Sequence, residues 1–174
     1  MDKLKILTYP NPLLAQKAEQ VTHFDDELKD LVKKMFELMY TEEGVGLAAS
    51  QVGILKRFAV IDISPTRTEP LVLINPEITE RSGSVTCNEG CLSIPDYRET
   101  VKRDKEITVV AQDLEGAQFE LKADDLLSRC IQHEMDHMDG VLFVDRVSAL
   151  KKQIFRKWRK KHVFVEADVE ESDE

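Results

Sequence analysis

The chain has 174 residues, 42% of them hydrophobic and 33% charged, with a formal net charge of -9. That size and balance suit one globular domain with its own core and leave little room for a second. The acidic balance argues against general binding to nucleic acid or a membrane surface, so neither DNA nor a membrane is an expected partner.

The first ten residues stop at Pro10 without an apolar stretch, which does not read as a signal peptide, and no run approaches transmembrane length. Three cysteines, Cys87, Cys91 and Cys130, are too few and odd in number for a disulfide framework. They suit a reducing, cytoplasmic location in which a thiolate is free for chemistry.

Along the chain, Asn11-Pro12 followed by Leu13, Leu14 and Ala15 predicts an N-cap and a short helix. Asp25-Asp26 opens a longer helix, with Leu28, Leu31, Val32, Met35, Phe36 and Met39 at helical spacing. Gly44-Val45-Gly46-Leu47-Ala48-Ala49-Ser50-Gln51 breaks it. Residues 58–63 and 71–74 read as buried strands, and Asn75-Pro76 as a turn. Residues 107–111 and 119–121 predict a hairpin around Glu115-Gly116. A helix follows from about Asp124, and a last one runs from about Ser148 to Lys161. Strands without βαβ alternation around a buried helix predict an α+β fold, with mainly antiparallel sheets packed around the helix that starts near Asp124. Residues 1–165 are expected to form one catalytic domain, and the acidic tail 166–174 to be disordered.

That helix carries His133-Glu134-Met135-Asp136-His137. Histidines at i and i+4 share one helix face about 6 Å apart along the axis, so both can reach one divalent cation. Glu134 beside them is placed to move the proton of a metal-activated water. Leu126, Leu127, Cys130 and Ile131 accompany the histidines, which predicts that this face packs against sheet. A catalytic site needs a third protein ligand. Cys130 lies about 10 Å along the axis from His137, too far for one ion, and reads as a buried hydrophobe lining the site. His23 and His162 read as polar surface. Cys91, in Glu89-Gly90-Cys91-Leu92-Ser93-Ile94-Pro95, and Cys87 are both plausible thiolate ligands; Gly90 and Pro95 make Cys91 the better one.

Three segments together resemble the peptide deformylases: Gly44 to Gln51, Glu89 to Ser93, and Gln132 to His137. Leu71 to Pro76 and Gly140 to Arg146 extend the resemblance, which runs to about Lys161. The resemblance implies a metal held by Cys91, His133 and His137. It implies removal of the N-formyl group from the initiator methionine of nascent chains, with release of formate. Glu134 would act as base and then acid, while the Gln51 amide and the Leu92 N–H would hold the oxyanion; without the resemblance, Gln51 reads as a capping residue. Gly44 and Gly46 could pair in extended fashion with a bound peptide, Gly46 lying near the oxyanion site. Val45, Ile94, Leu126, Cys130 and His133 are the implied methionine pocket. Arg98 is implied near the substrate backbone, although a solvated loop arginine explains it equally well. Met138 and Arg129 depart from the family pattern, and Arg129 is expected at the pocket entrance.

Ligand types alone favour Zn(II) by the divalent affinity order. The resemblance implies one Fe(II) per chain, with Zn(II), Ni(II) or Co(II) able to substitute. Lys151, Lys152, Arg156, Lys157, Arg159, Lys160 and Lys161 form a basic run without an acid. The resemblance implies ribosome docking near the exit tunnel by this helix; the plainer reading is a solvated helix whose Leu150, Ile154, Phe155 and Trp158 pack on the domain. A monomer is expected. Two alternatives remain open to HExxH: a peptidase cutting internal bonds, and a non-catalytic metal-stabilised binding protein.

Overall fold

The computed structural model describes residues 3–162. The predicted acidic tail lies outside them.

Helix α1 (Asp26–Thr41) begins where predicted, because the Asp25 side chain accepts from the Leu28 N–H at 3.0 Å and closes the first turn. Its Leu28, Val32, Met35 and Met39 are buried against strands β1 (Gly46–Ala48) and β2 (Phe58–Ile61). Together with Leu47, Phe58, Val60 and Ile74 they make the first core layer. Pro12–Ala15 is a single 3-10 turn capped by Asn11, as its sequence implies.

Strand β3 spans Leu71–Ser82, running straight through the Asn75-Pro76 expected to be a turn. Pro76 lacks an N–H for the ladder, and the register slips between Ile74 and Glu77, so the dipeptide makes a bulge. Asn75 (φ 51) occupies the left-handed region and fastens the bulge by side-chain bonds to Val21 N, Val21 O and Gln112 Oε1. The bend lets the first half of β3 pair with β2 and the second half with β6 (Glu106–Gln112), which pairs in turn with β7 (Gln118–Asp124). The resulting antiparallel sheet has the order β1-β2-β3-β6-β7. A separate antiparallel hairpin, β4 (Val85–Cys91) and β5 (Ile94–Arg103), is absent from the sequence expectation. Strand β4 buries none of its residues fully, and β5 buries Ile94, Tyr97, Val101 and Arg103 at irregular spacing, so no period-two apolar pattern signals the hairpin.

Helix α2 (Asp125–Met138) packs against β1, β2, β6 and β7. Ile131 seals it to the sheet through Ile61, Leu73, Val109 and Ala123. The α+β arrangement around this helix is as expected. One detail is corrected: Leu126 is 44% exposed, so the apolar face opens to solvent at its N-terminal end. Helix α3 (Ala149–Lys161), capped by Ser148, docks through Phe155 and Trp158 onto Tyr97 and Phe143. Leu150 and Ile154, expected to pack on the domain, are 67% and 48% exposed. They lie outside the angular range that Phe155 and Trp158 bury, because only one narrow stripe of a helix faces its support. No helix among the described residues is long and apolar enough to cross a membrane.

Candidate metal centre

Two turns of α2 and the end of β4 bring the chemistry together. His133 and His137 project from one face of the helix, and the tight turn at Leu92-Ser93 delivers Cys91 opposite them. Cys91 Sγ lies 3.4 Å from His137 Nε2, which lies 3.3 Å from His133 Nε2. All three donor atoms fall within 4.8 Å of one another. A tetrahedral ion with bonds of about 2.0–2.3 Å separates its nitrogen and sulfur donors by about 3.3–3.6 Å, so this triad fits one divalent cation. Cys87 and Cys130 stand outside the cluster, so the geometry groups Cys91 rather than Cys87 with the histidines.

The electrostatics of the two histidines differ. Burial first, then the His133 charge, holds the His137 imidazole well below its usual pKa, leaving it the neutral ligand a metal requires. Around His133, burial is outweighed by the Glu134 charge and by the hydrogen bonds to Cys91 and Glu89, which hold the imidazole above its usual pKa, a cation-favouring site in which a bound metal ion would take the proton's place. Glu134 is 3% exposed, and its Oε1 has no protein partner among the described residues. Burial raises its carboxyl to about 7, with Glu89 and Asp136 adding to the rise and His133 and Arg103 opposing it. A carboxyl titrating there can both accept and release a proton near neutral pH.

Gln51 is 1% exposed and held in one orientation. Its Oε1 accepts from Ala48 N–H at 2.9 Å, while its Nε2 donates to Ser93 Oγ at 3.0 Å and approaches Cys91 Sγ at 3.6 Å. The amide therefore caps the chain at its oxygen end and faces the ligand cluster at its nitrogen end. Gly46 touches Glu134 so closely that a Cβ there would overlap Glu134 Oε2 and come within 3.1 Å of Cys130 Sγ.

A cleft of about 710 Å³ opens beside the triad. Its walls include Gly44, Val45, Gly46, Ile94, Arg98, Leu126, Cys130 and Leu92, along with Arg129. Cys130 is 6% exposed and burial raises its thiol well above the usual value, in keeping with a lining hydrophobe. Arg98 sits on β5, not in a loop, and its guanidinium binds the Asn88 side chain and carbonyl.

Sequence reasoning missed the support behind the ligands. Glu89 Oε1 meets His133 Nδ1 at 2.9 Å and fixes which ring nitrogen faces Cys91 and His137. Arg103, 5% exposed, forks onto both Glu89 oxygens and reaches Asp136 Oδ2 at 2.6 Å. Arg146 grips the same Asp136 through Nε and an Nη. The available signals were Glu89 two residues before Cys91, hence on the same strand face, and Asp136 inside the histidine pair.

Comparison with known proteins agrees with this geometry. A family model described as polypeptide deformylase matches residues 3–153. A peptide deformylase of Acidobacterium capsulatum is 54% identical over 89% of this chain and 93% of its own length. One from Pseudoalteromonas translucida is 48% identical over 90% and 94%. A crystal structure of a peptide deformylase from Legionella pneumophila superposes with a TM-score of 0.86 at 44% identity, covering 90% of this chain and 92% of that one. Another from Synechococcus elongatus, in complex with actinonin, gives 0.83 at 44% identity over 88% and 87%. With the triad, the buried Glu134 and these likenesses in hand, the chain belongs to the polypeptide deformylase family, metal-dependent hydrolases that remove the N-formyl group from newly made polypeptides.

Proposed function

We propose that this chain deformylates formyl-methionyl peptides with Glu134 as the only proton carrier. A divalent cation held by Cys91, His133 and His137 would supply a Lewis acid that polarises the formyl carbonyl and acidifies the attacking water. Glu134 takes a proton from that water as its oxygen adds to the formyl carbon. It then hands the proton to the departing amine as the C–N bond breaks, and the proton left on the added oxygen is lost to the amine or to solvent as formate is released. Gln51 Nε2 and the Leu92 N–H donate to the oxygen on which negative charge develops, each contributing about 3–4 kcal/mol in comparable sites.

Gly44 and Gly46 present backbone to the peptide, with Gly46 keeping Glu134 and the oxyanion side open. Val45, Ile94, Leu126, Cys130 and His133 receive the methionine side chain, and Arg98 stands near the substrate backbone. The observation that carries this reading is the buried carboxyl of Glu134, with one oxygen unpartnered, beside a ligand triad of the right span.

We assign Fe(II) as the resident ion, one per chain, with Zn(II), Ni(II) or Co(II) able to substitute; thiolate ligation makes the centre soft and oxygen-sensitive. Residues 1–165 act as one catalytic domain, monomeric and cytoplasmic. The basic face of α3 docks near the ribosomal exit tunnel, supported by a run of cations that an otherwise acidic chain concentrates there. Salt-dependent co-sedimentation with ribosomes should be lost when residues after Leu150 are removed; unchanged binding would sink that assignment.

The decisive assay is anaerobic formate release from formyl-Met-Ala-Ser, with metal content measured alongside. Glu134→Ala should keep its metal and lose about 10²–10⁴-fold in turnover. Cleavage of a blocked, unformylated peptide instead, or undiminished activity of the Glu134→Ala protein, would overturn the reading. Stoichiometric zinc with high activity in anaerobically purified protein would remove the iron assignment alone.

A further inference from the structure

The two donors for the developing charge come from separate elements. The Gln51 amide belongs to the 3-10 turn Ala49–Val52, and the Leu92 N–H to the two-residue turn that joins β4 to β5. Donors aimed at a transition state work only if their relative placement is fixed beforehand. The chain ties these two turns together twice. Leu7 N–H donates to the Gln51 carbonyl at 2.7 Å and Tyr9 N–H to the Ser93 carbonyl at 2.8 Å, so one short strap holds both. Tyr9 is itself set by its ring, edge-on to Phe155 of α3 at 5.3 Å. The second tie is the side-chain bond from Gln51 Nε2 to Ser93 Oγ. Ser93 is fully buried, so bulk solvent does not compete for that bond.

The side-chain tie decides what the amide can do. A primary amide carries an acceptor oxygen and two donor hydrogens in one plane. In Gln51 the oxygen is taken by the N–H of Ala48, a residue paired to Ala59 in the sheet. One Nε2 hydrogen goes to Ser93. The other is left on the side of Cys91 Sγ, a weak acceptor that yields to an oxygen carrying charge. That remaining N–H is the one placed to meet the oxyanion. Intrinsic preference does not hold it there, because the terminal torsion of a glutamine is broad. Without the Ser93 hydroxyl, the buried N–H that served it has no acceptor. The amide then turns about that torsion toward the remaining sulfur and carries the aimed hydrogen out of line.

We propose that Ser93 is a positioning residue for this reaction: its hydroxyl fixes the rotation of the Gln51 amide and so aims the remaining Nε2 hydrogen at the oxyanion. This rests on the deformylase reading of the site and deepens it. The test compares formate release from formyl-Met-Ala-Ser by wild type, Ser93→Ala, Gln51→Ala and the double variant, with metal content measured on each. Ser93→Ala should lower kcat about tenfold with KM within about twofold, a part of the roughly 10²–10³-fold that removing a whole oxyanion donor costs. In the Gln51→Ala background the same change should cost less than about twofold, because Ser93 acts through that amide alone. A further readout needs no turnover. In zinc-loaded protein the Gln51 side-chain amide hydrogens should exchange with solvent about tenfold faster in Ser93→Ala than in wild type. An equal loss of kcat in both backgrounds, a change in KM alone, or unaltered amide exchange would each overturn the proposal. Failure of every protein to release formate would overturn the deformylase reading itself, and the exchange comparison would still decide whether Ser93 holds the Gln51 amide.

Discussion

Gly46 shows how little room the reacting centre leaves. A single methyl at this position overlaps Glu134 Oε2 and presses on Cys130 Sγ, and β1 is pinned to β2 on its other side. The carboxylate, at the end of a rotatable side chain, is the part that yields. Gly46→Ala is expected to lower kcat by about 10²-fold, the scale of loss when a reacting group is displaced by about 1 Å. Metal stoichiometry and melting temperature should stay near wild type; a parallel loss of metal would mean that the triad had moved instead. Residues whose chemistry follows from type and spacing were legible at this scale. The two histidines, Glu134 and Cys91 come together as the sequence implies, because helical periodicity fixes the first three. Glu89 was overlooked because a carboxylate in a strand carries no periodic mark of the histidine it orients forty-four residues away.

The strand that carries Gly46 is held by an element with no motif of its own. Asp62, fully buried, donates its N–H to the Val45 carbonyl, while its side chain accepts from Tyr40 OH, Ser64 N and Ser64 Oγ. Arg67 completes the clasp by donating to the Gly44 carbonyl at 2.9 Å and to the Asp62 carbonyl at 3.2 Å, its guanidinium lying over the Tyr40 ring. Burial alone would raise the Asp62 carboxyl, but the bonds from Ser64 and Tyr40 outweigh it and hold the group below its usual value. A depressed folded-state pKa gives stabilisation that is fully present above the unfolded value of about 3.9 and is lost as the pH falls through and below it. Asp62→Asn should cost about 1.5–3 kcal/mol at neutral pH, the usual contribution of bonds to a charged acceptor. Its denaturation midpoint should also fall less steeply than wild type between about pH 5 and pH 3, so that the two proteins converge in acid. Parallel curves would show that Asp62 is not the titrating group. The same scale explains where element reading failed. Asn75-Pro76 has turn composition, yet tertiary bonds from Asn75 to Val21 and Gln112 turn it into a bulge within β3. The β4–β5 hairpin has polar residues on both faces, so alternation could not reveal it.

Across the whole molecule, the candidate metal triad draws its residues from two structures that share no sheet: Cys91 comes from the β4–β5 hairpin and the histidines from α2. A chain of charge, buried at Arg103 and Asp136 and open to solvent at Arg146, joins them. Glu89 and Arg103 belong to the hairpin, Asp136 to the helix, and Arg146 to the segment leading to α3. Each member satisfies another, and Arg103 binds Glu89 and Asp136 at once, so its guanidinium is raised above its ordinary pKa despite burial. This connection was invisible in sequence, since it depends on a register that brings residue 103 over residue 136. Asp136→Ala leaves Arg103 deep in the protein with half its partners gone and frees the Arg146 fork. Breaking one side of a buried ionic cluster costs about 3–5 kcal/mol, a large share of the stability of a domain this size. Chemical denaturation should register that loss. The same substitution should weaken metal affinity by about 10–100-fold, because Arg103, released on one flank, holds Glu89 and through it the His133 ring less firmly. Asp136→Asn keeps the shape and one acceptor oxygen and should recover part of both losses. If Asp136→Ala lowered stability but left metal affinity untouched, the charge chain would be a brace between hairpin and helix with no hold on the ligands.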